Sequence, residues 1–269
     1  VATFRSGRID LGSAVDNLSI GEGAGDSYTT GDSNVAIGKN ALTAVTDSGK
    51  SVAIGINALD AATTGGQNTG VGAYAGGDIT TGNNNVAIGY AALVSATTTD
   101  NQVAIGAYAL DATTTGANNV AIGYVTLTAN STGNYNTAVG TNTLQANTTG
   151  ADNTAVGGAA LYSNTTASYN TAFGKSALFA NTTGTQNTAV GALSLDANTT
   201  TSYNTAVGYG ALGANTAGEN LTAVGRSALL ANTTANWCTA VGERALTSNT
   251  TGNYNVAVGH RALEDNVSG

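Results

Sequence analysis

The chain has no proline and no methionine, and among its 269 residues there is one cysteine (Cys238), one histidine (His260) and one tryptophan (Trp237). A disulfide framework, a His/Cys metal cluster and any constellation needing two histidines are therefore excluded within one chain. Charge is almost as scarce: 9% of residues are Asp, Glu, Lys or Arg, against roughly 25% in an average domain. No Lys or Arg occurs from Ser51 to Gly174, and the net charge is -8. Nucleic acid as a partner thus has no basic footprint. No apolar run approaches the ~18 residues of a spanning helix, so membrane insertion is not expected. Because residue 1 is Val, a fragment or processed product is expected. Abundant small polar residues invite a disordered reading, but 41% of the chain is apolar and sits at fixed intervals.

Those intervals are 17 residues. The tetrapeptide Val35-Ala36-Ile37-Gly38 recurs, with variation, from Leu18 to Val256 in fifteen copies. Residues 1–17 fit poorly and read as an N-terminal cap or junction, leaving 18–269 as the repeat domain. With Val35 as position one, the consensus is Val/Thr-Ala-Val/Ile-Gly-x-x-Ala-Leu-x-Ala-Asn-Thr-Thr-Gly-x-x-Asn. Position four is glycine in all fifteen copies, including Gly38, Gly55, Gly140, Gly157, Gly191 and Gly225, which predicts a backbone φ closed to other residues. Positions one to three predict a strand, seven to ten a second strand, and eleven to seventeen a broad turn.

A single copy buries too few aliphatic side chains to offset the entropy of ordering its backbone, so the copies must stack. The expectation is an all-β, parallel β-solenoid of about fifteen coils, a rod with a spacing near 4.8 Å. Positions one and three are read as inward. Val139 and Val156, with Leu144, Leu161 and Leu195 of position eight, then form the core ladders, and the mostly small residue of position ten, Ala or Ser, is read as inward beside the leucine. Leu is missing at Gly25 and Gly76, where position eleven becomes Tyr28 and Ile79, so lost volume is expected to be refilled from the turn. Position two is Ala in thirteen copies and is read as outward. Ala138, Ala155, Ala172, Ala189 and Ala206 then make a smooth contact strip for self-association, most simply a homotrimer. The alternative is that this Ala faces its own coil.

The runs Asn136-Thr137-Ala138-Val139-Gly140 and Asn187-Thr188-Ala189-Val190-Gly191 resemble repeats of tail-fibre and appendage proteins of marine and cyanobacterial phages. The Val-Ala-Ile-Gly element at Val35, Val52 and Val86 is similar to the head repeats of trimeric autotransporter adhesins, which implies a trimer of left-handed parallel β-rolls. The coil here is longer than in the adhesins. The resemblance implies a structural, non-enzymatic shaft of a virion or extracellular appendage that displays a receptor-binding element. A second reading is a surface adhesin whose solenoid itself binds host or glycan ligands. Its contacts are Tyr90, Tyr124, Tyr162, Phe179 and Tyr209, or the row Tyr135, Tyr169, Tyr203 and Trp237 at position sixteen, later joined by Tyr254. A third is ice binding by Thr rows at positions twelve and thirteen, although ice recognition favours Thr alternating on a strand face.

No catalytic, cofactor or metal site is expected. Gly208-Tyr209-Gly210-Ala211-Leu212-Gly213 matches a dinucleotide pattern, but its first glycine belongs to the repeat and no helix is expected after it. Asp60, Asp111 and Asp196 share position nine several coils apart and read as solvated charge. Cys238 reads as a tolerated turn substitution or an inter-chain contact, and His260 lies in the last coil's variable turn. Asn130, Asn147, Asn164, Asn181, Asn198, Asn232 and Asn249 stand in glycosylation sequons dictated by the repeat, and are expected to ladder between coils instead.

Overall fold

A computed structural model describes residues 3–5, 8–10 and 16–269. Most of the N-terminal cap or junction lies outside the described residues. Within it, β1 (Thr3–Arg5) and β2 (Arg8–Asp10) pair antiparallel. The chain divides into two compact units, residues 1–119 and 120–269.

The fold is an all-β, parallel β-solenoid with one three-residue strand per 17-residue coil. In the first unit β3 (Leu18–Ile20), β4 (Val35–Ile37), β5 (Val52–Ile54), β6 (Thr69–Val71), β7 (Val86–Ile88) and β8 (Val103–Ile105) pair in parallel. In the second unit nine strands stack the same way, β9 (Val120–Ile122), β10 (Thr137–Val139), β11 (Thr154–Val156), β12 (Thr171–Phe173), β13 (Thr188–Val190), β14 (Thr205–Val207), β15 (Thr222–Val224), β16 (Thr239–Val241) and β17 (Val256–Val258). Register is in phase with the repeat: Thr137, Ala138 and Val139 oppose Thr154, Ala155 and Val156. Each strand ends because the glycine at position four has φ between 126° and 143°, a region closed to L side chains. A Cβ at Gly191 would lie 2.5 Å from the Gly208 carbonyl oxygen of the next coil.

The second strand does not form. Positions six and eight both take left-handed φ, for example Asn142 at 56° and Leu144 at 51°. Successive amides in this stretch consequently point to opposite neighbours: Asn142 donates back to the Tyr124 carbonyl at 3.1 Å, whereas Leu144 and Ala146 donate forward to Ala160 and Tyr162 at 3.0 and 3.1 Å. The turn is therefore hydrogen-bonded from coil to coil much as the strand is, which satisfies backbone groups that a buried turn would otherwise orphan. A left-handed leucine costs about 1–2 kcal/mol, and full burial of its side chain returns about 1.5–3 kcal/mol.

The strand faces are reversed relative to the sequence reading. Position two points inward: Ala138, Ala155, Ala172, Ala189 and Ala206 are fully buried in their own coils, so they cannot form an intermolecular contact strip. Val139 and Val156, expected in the core, are only part-buried and stand outward with the residues of position one. The cause is space, because the interior opposite the strand is filled by leucines. At Gly70 even an added Cβ would fall 2.9 Å from Leu59 Cγ, and in thirteen other coils the position holds a buried Ala, so nothing larger than a small side chain is accommodated there. Leu144, Leu161 and Leu195 are fully buried, joined by the small residue of position seven and by positions eleven and seventeen. Position ten, read as inward, is not part of the core; Ala146 and Ser163, which occupy it in successive coils of the second unit, are part-exposed. Where Leu is missing, the turn residue takes its place: a Cβ at Gly76 would approach Ile79 Cδ1 to 3.0 Å, and one at Gly25 would strike the Tyr28 ring.

Candidate interaction surface

Since the interior is closed, chemistry is confined to the outside. Three surface features arise from the repeat. The first is the outward side of the strands. In the second unit Thr137, Thr154, Thr171, Thr188, Thr205, Thr222 and Thr239 stand at position one, and Val or Phe173 at position three, so that the face is apolar with hydroxyls. Positions one to four carry no ionisable residue in any coil. Phe173 is 42% exposed on this face and Val190 38%.

The second feature is aromatic. In the first unit Tyr74, Tyr90 and Tyr108 meet edge to face, with ring centroids 6.0 and 5.4 Å apart. In the second, Tyr162 stacks on Phe179 and Trp237 on Tyr254, both with centroids 5.1 Å apart. Tyr90, Tyr124, Tyr209 and Phe179 are exposed and Tyr162 is half-buried, while at position sixteen Tyr135, Tyr169, Tyr203 and Trp237 all project into solvent.

The third is a sparse set of charges. Lys39 pairs with Glu22 at 3.3 Å and Arg244 with Glu264 at 2.7 Å, and Arg226–Glu243 and Arg261–Glu264 also pair. Hydrogen bonds from Arg226 and Arg261 hold the Glu243 and Glu264 carboxyls below their ordinary values. Such exposed pairs contribute little stability. The carboxyls at position nine behave differently from the solvated charges expected of them. Burial pushes Asp60, Asp111 and Asp196 above the usual carboxylate value, and Asp111 Oδ1 is buried without a partner.

The remaining sequence candidates are structural. Gly208 to Gly213 follows β14 but leads into another coil turn rather than a helix, so the dinucleotide pattern has no helix N-terminus to offer. Cys238 is a turn substitution, as read: at position seventeen it takes the place of an asparagine and donates to the Gly252 carbonyl at 3.1 Å, as Asn204 does to Gly218, while its burial, which raises the thiol pKa, keeps it from an inter-chain contact. His260 is exposed. The sequon asparagines are fully buried and hydrogen-bonded within the coil stack, which removes them as glycan acceptors in the folded chain. Thr148, Thr165, Thr182 and Thr233 of position twelve donate their hydroxyls to the next coil's threonine carbonyl at 3.0–3.2 Å, so that row is already engaged. No three His, Cys, Asp or Glu side chains converge among the described residues, and no helix there is long and apolar enough to cross a membrane.

The reversal of the strand faces was legible in one signal. Position two varies only among Ala, Ser and Gly, whereas one and three accept Thr, Val, Ile, Leu and Phe. Tolerance of size marks the side with room. No protein-family model, curated protein or solved structure matches the chain.

Proposed function

We propose that the chain is a non-enzymatic shaft of a virion or extracellular appendage. It associates laterally with copies of itself, most simply as a homotrimer, through the outward strand face, and it holds a receptor-binding element away from the body that carries it. The observation that supports this reading is the face itself: thirteen of its position-three residues are Val or Ile from Ile37 onward apart from Phe173, arranged on parallel strands with no charge to desolvate. Association of such faces buries apolar area at little polar cost.

Sedimentation tests it. The parent should run as a trimer at micromolar concentration. Val156→Glu, Val190→Glu and Val224→Glu together place three carboxylates on alternate outward strands, and should give a monomer that keeps its β spectrum. A parent that sediments as a monomer would overturn the homotrimer.

A second reading, an adhesin whose solenoid binds host or glycan ligands, is favoured by the exposed ring contacts of Tyr74, Tyr90 and Tyr108 and of Trp237 with Tyr254, since paired rings offer stacking platforms. Glycan-array binding lost in Trp237→Ala would support it. For ice binding, the supporting observation moves from the turn rows to the seven consecutive threonines from Thr137 to Thr239 at position one, and thermal hysteresis is its measurement.

A further inference from the structure

One coil of the second unit is unlike the others. In the coil that begins at β14, positions six and nine are both glycine, Gly210 and Gly213, a combination found in no other copy. Their neighbours keep side chains: Leu193 and Asp196 in the preceding coil, Ser227 and Leu230 in the following one. The missing side chains leave a recess of about 450 Å³ lined by those four residues with Tyr209, Ala214 and Ala231, within the usual range of small-molecule sites. The space is open at Gly210, where an added Cβ would meet only Leu230 Cδ1 at 3.6 Å. At Gly213 the Cβ would lie 3.2 Å from Leu230 Cδ1 and 3.3 Å from both Asp196 Oδ1 and the Gly210 carbonyl oxygen, so a methyl group and two oxygens border that position.

The walls are leucine and alanine, one side is a phenol ring, and the single charged group is Asp196. Its carboxylate forms no ion pair among the described residues. Between Lys175 and Arg244 the one cationic side chain is Arg226, which is held by Glu243. We propose that this recess binds an organic ammonium ion with a compact apolar body, the ammonium donating to Asp196 and facing the Tyr209 ring while the body rests between Leu193 and Leu230. Each part supplies what the site lacks: a charge-assisted partner for the carboxylate, a cation for the ring, and apolar volume for the two leucines. Burial raises the Asp196 carboxyl against the weaker pull of the Asp196 and Ala197 amides, which agrees with an anion that has no counter-charge in the unliganded chain.

The probe is phenethylammonium, titrated calorimetrically or by ligand-observed NMR at pH 7 against 2-phenylethanol, its neutral isostere, and methyl glucoside. Phenethylammonium should bind at least about tenfold more tightly than the alcohol, and Asp196→Asn should weaken it by about the same factor. Gly213→Leu should abolish binding; Leu230 holds leucine in the equivalent place one coil on, and an unchanged β spectrum checks that this coil accepts it too. The proposal is overturned if the alcohol binds as tightly as the ammonium, if Asp196→Asn binds like the parent, or if only the glucoside binds. The comparison of ammonium with alcohol uses the parent protein, so it decides the matter even if a variant fails to fold.

Discussion

The two units build the same coil but fill one interior position by opposite means. At position eleven the first unit places, after Tyr28, Val45, Ala62, Ile79, Ala96 and Thr113 in its later coils, whereas the second places Asn in all nine copies from Asn130 to Asn266. Both sets are buried through Asn249. In the second unit the amides from Asn147 to Asn232 each donate both to the asparagine of the coil before and to a backbone carbonyl three residues on, whereas Asn249 donates to the Gly252 carbonyl. Asn164 reaches Asn147 Oδ1 in the coil before at 2.8 Å and the Ala167 carbonyl at 3.0 Å, and Asn181 repeats the pattern at 3.0 and 2.9 Å. A parallel ladder at position seventeen feeds the same carbonyls, as when Asn153 donates to Ala167 at 2.8 Å. The backbone therefore fixes a slot, and the slot accepts either apolar volume or a hydrogen-bonded amide, with Thr113, whose buried hydroxyl has no partner, between the two. The amide solution is the more demanding, because every member depends on its neighbours. Asn232 Oδ1, buried without a partner, marks where the ladder is broken.

The largest expected effect lies in what the units share. Leu161→Asp in the second unit and Leu93→Asp in the first each put a carboxylate into a fully buried ladder with no cation nearby, at a cost of about 4 kcal/mol or more. Limited proteolysis should open either unit at the altered coil. Resistance equal to the parent's would show that position eight is not the core of that unit.

Next in size is a repair in the first unit. Ile79→Ala removes the side chain that occupies the leucine space left by Gly76 and should cost about 2–5 kcal/mol. Gly76→Leu alone overpacks, since its Cβ would lie 3.0 Å from Ile79 Cδ1, while the Leu59 Cδ2 methyl at 2.7 Å is a side-chain end that can turn aside. Together the two changes restore the consensus, and Gly76 already has φ near that of the leucines, 62° against 51° at Leu144. The double variant should melt close to the parent. Additive losses would mean that Ile79 and Gly76 do not share one space.

The amide counterpart is Asn164→Ala, which strips the donor from Asn147 Oδ1 and the acceptor from Asn181 Nδ2. Its expected cost is about 1–3 kcal/mol, read from urea unfolding. Ile79→Val, a volume change without polar loss, should cost only about 0.5–1.5 kcal/mol. Equal costs would abolish the contrast between the units.

This contrast also shows what the sequence could disclose. A fixed glycine, a leucine every 17 residues and an amide row are each visible as constancy, and constancy is what stacking imposes. Which way a three-residue strand faces is not visible in the same manner. Two aliphatics flanking an alanine read as inward by hydrophobicity, and the deciding fact was the width left between Leu59 and the strand at Gly70. The vacated positions Gly210 and Gly213 were visible only as a false nucleotide pattern, because a recess depends on what the neighbouring coils retain.

The smallest effect concerns two carboxyls at position nine, one in each unit. Burial raises both Asp111 and Asp196, but Asp111 Oδ1 is enclosed without a partner, whereas Asp196 Oδ1 borders an open recess. A carboxyl whose folded value lies above its unfolded value favours the folded state when protonated. The stability it allows is therefore fully present below the unfolded value, near 3.8, and declines as pH rises through the folded value. Asp111→Asn should remove that decline, giving a small rise in melting temperature at pH 7 that vanishes below the ordinary carboxylate value. Asp196→Asn should give a lesser rise over the same range, because its carboxylate borders an open recess that solvent reaches. Melting curves of both variants from acid to neutral pH provide the measurement, and a larger gain at Asp196 would place the more costly buried charge in the second unit instead of the first.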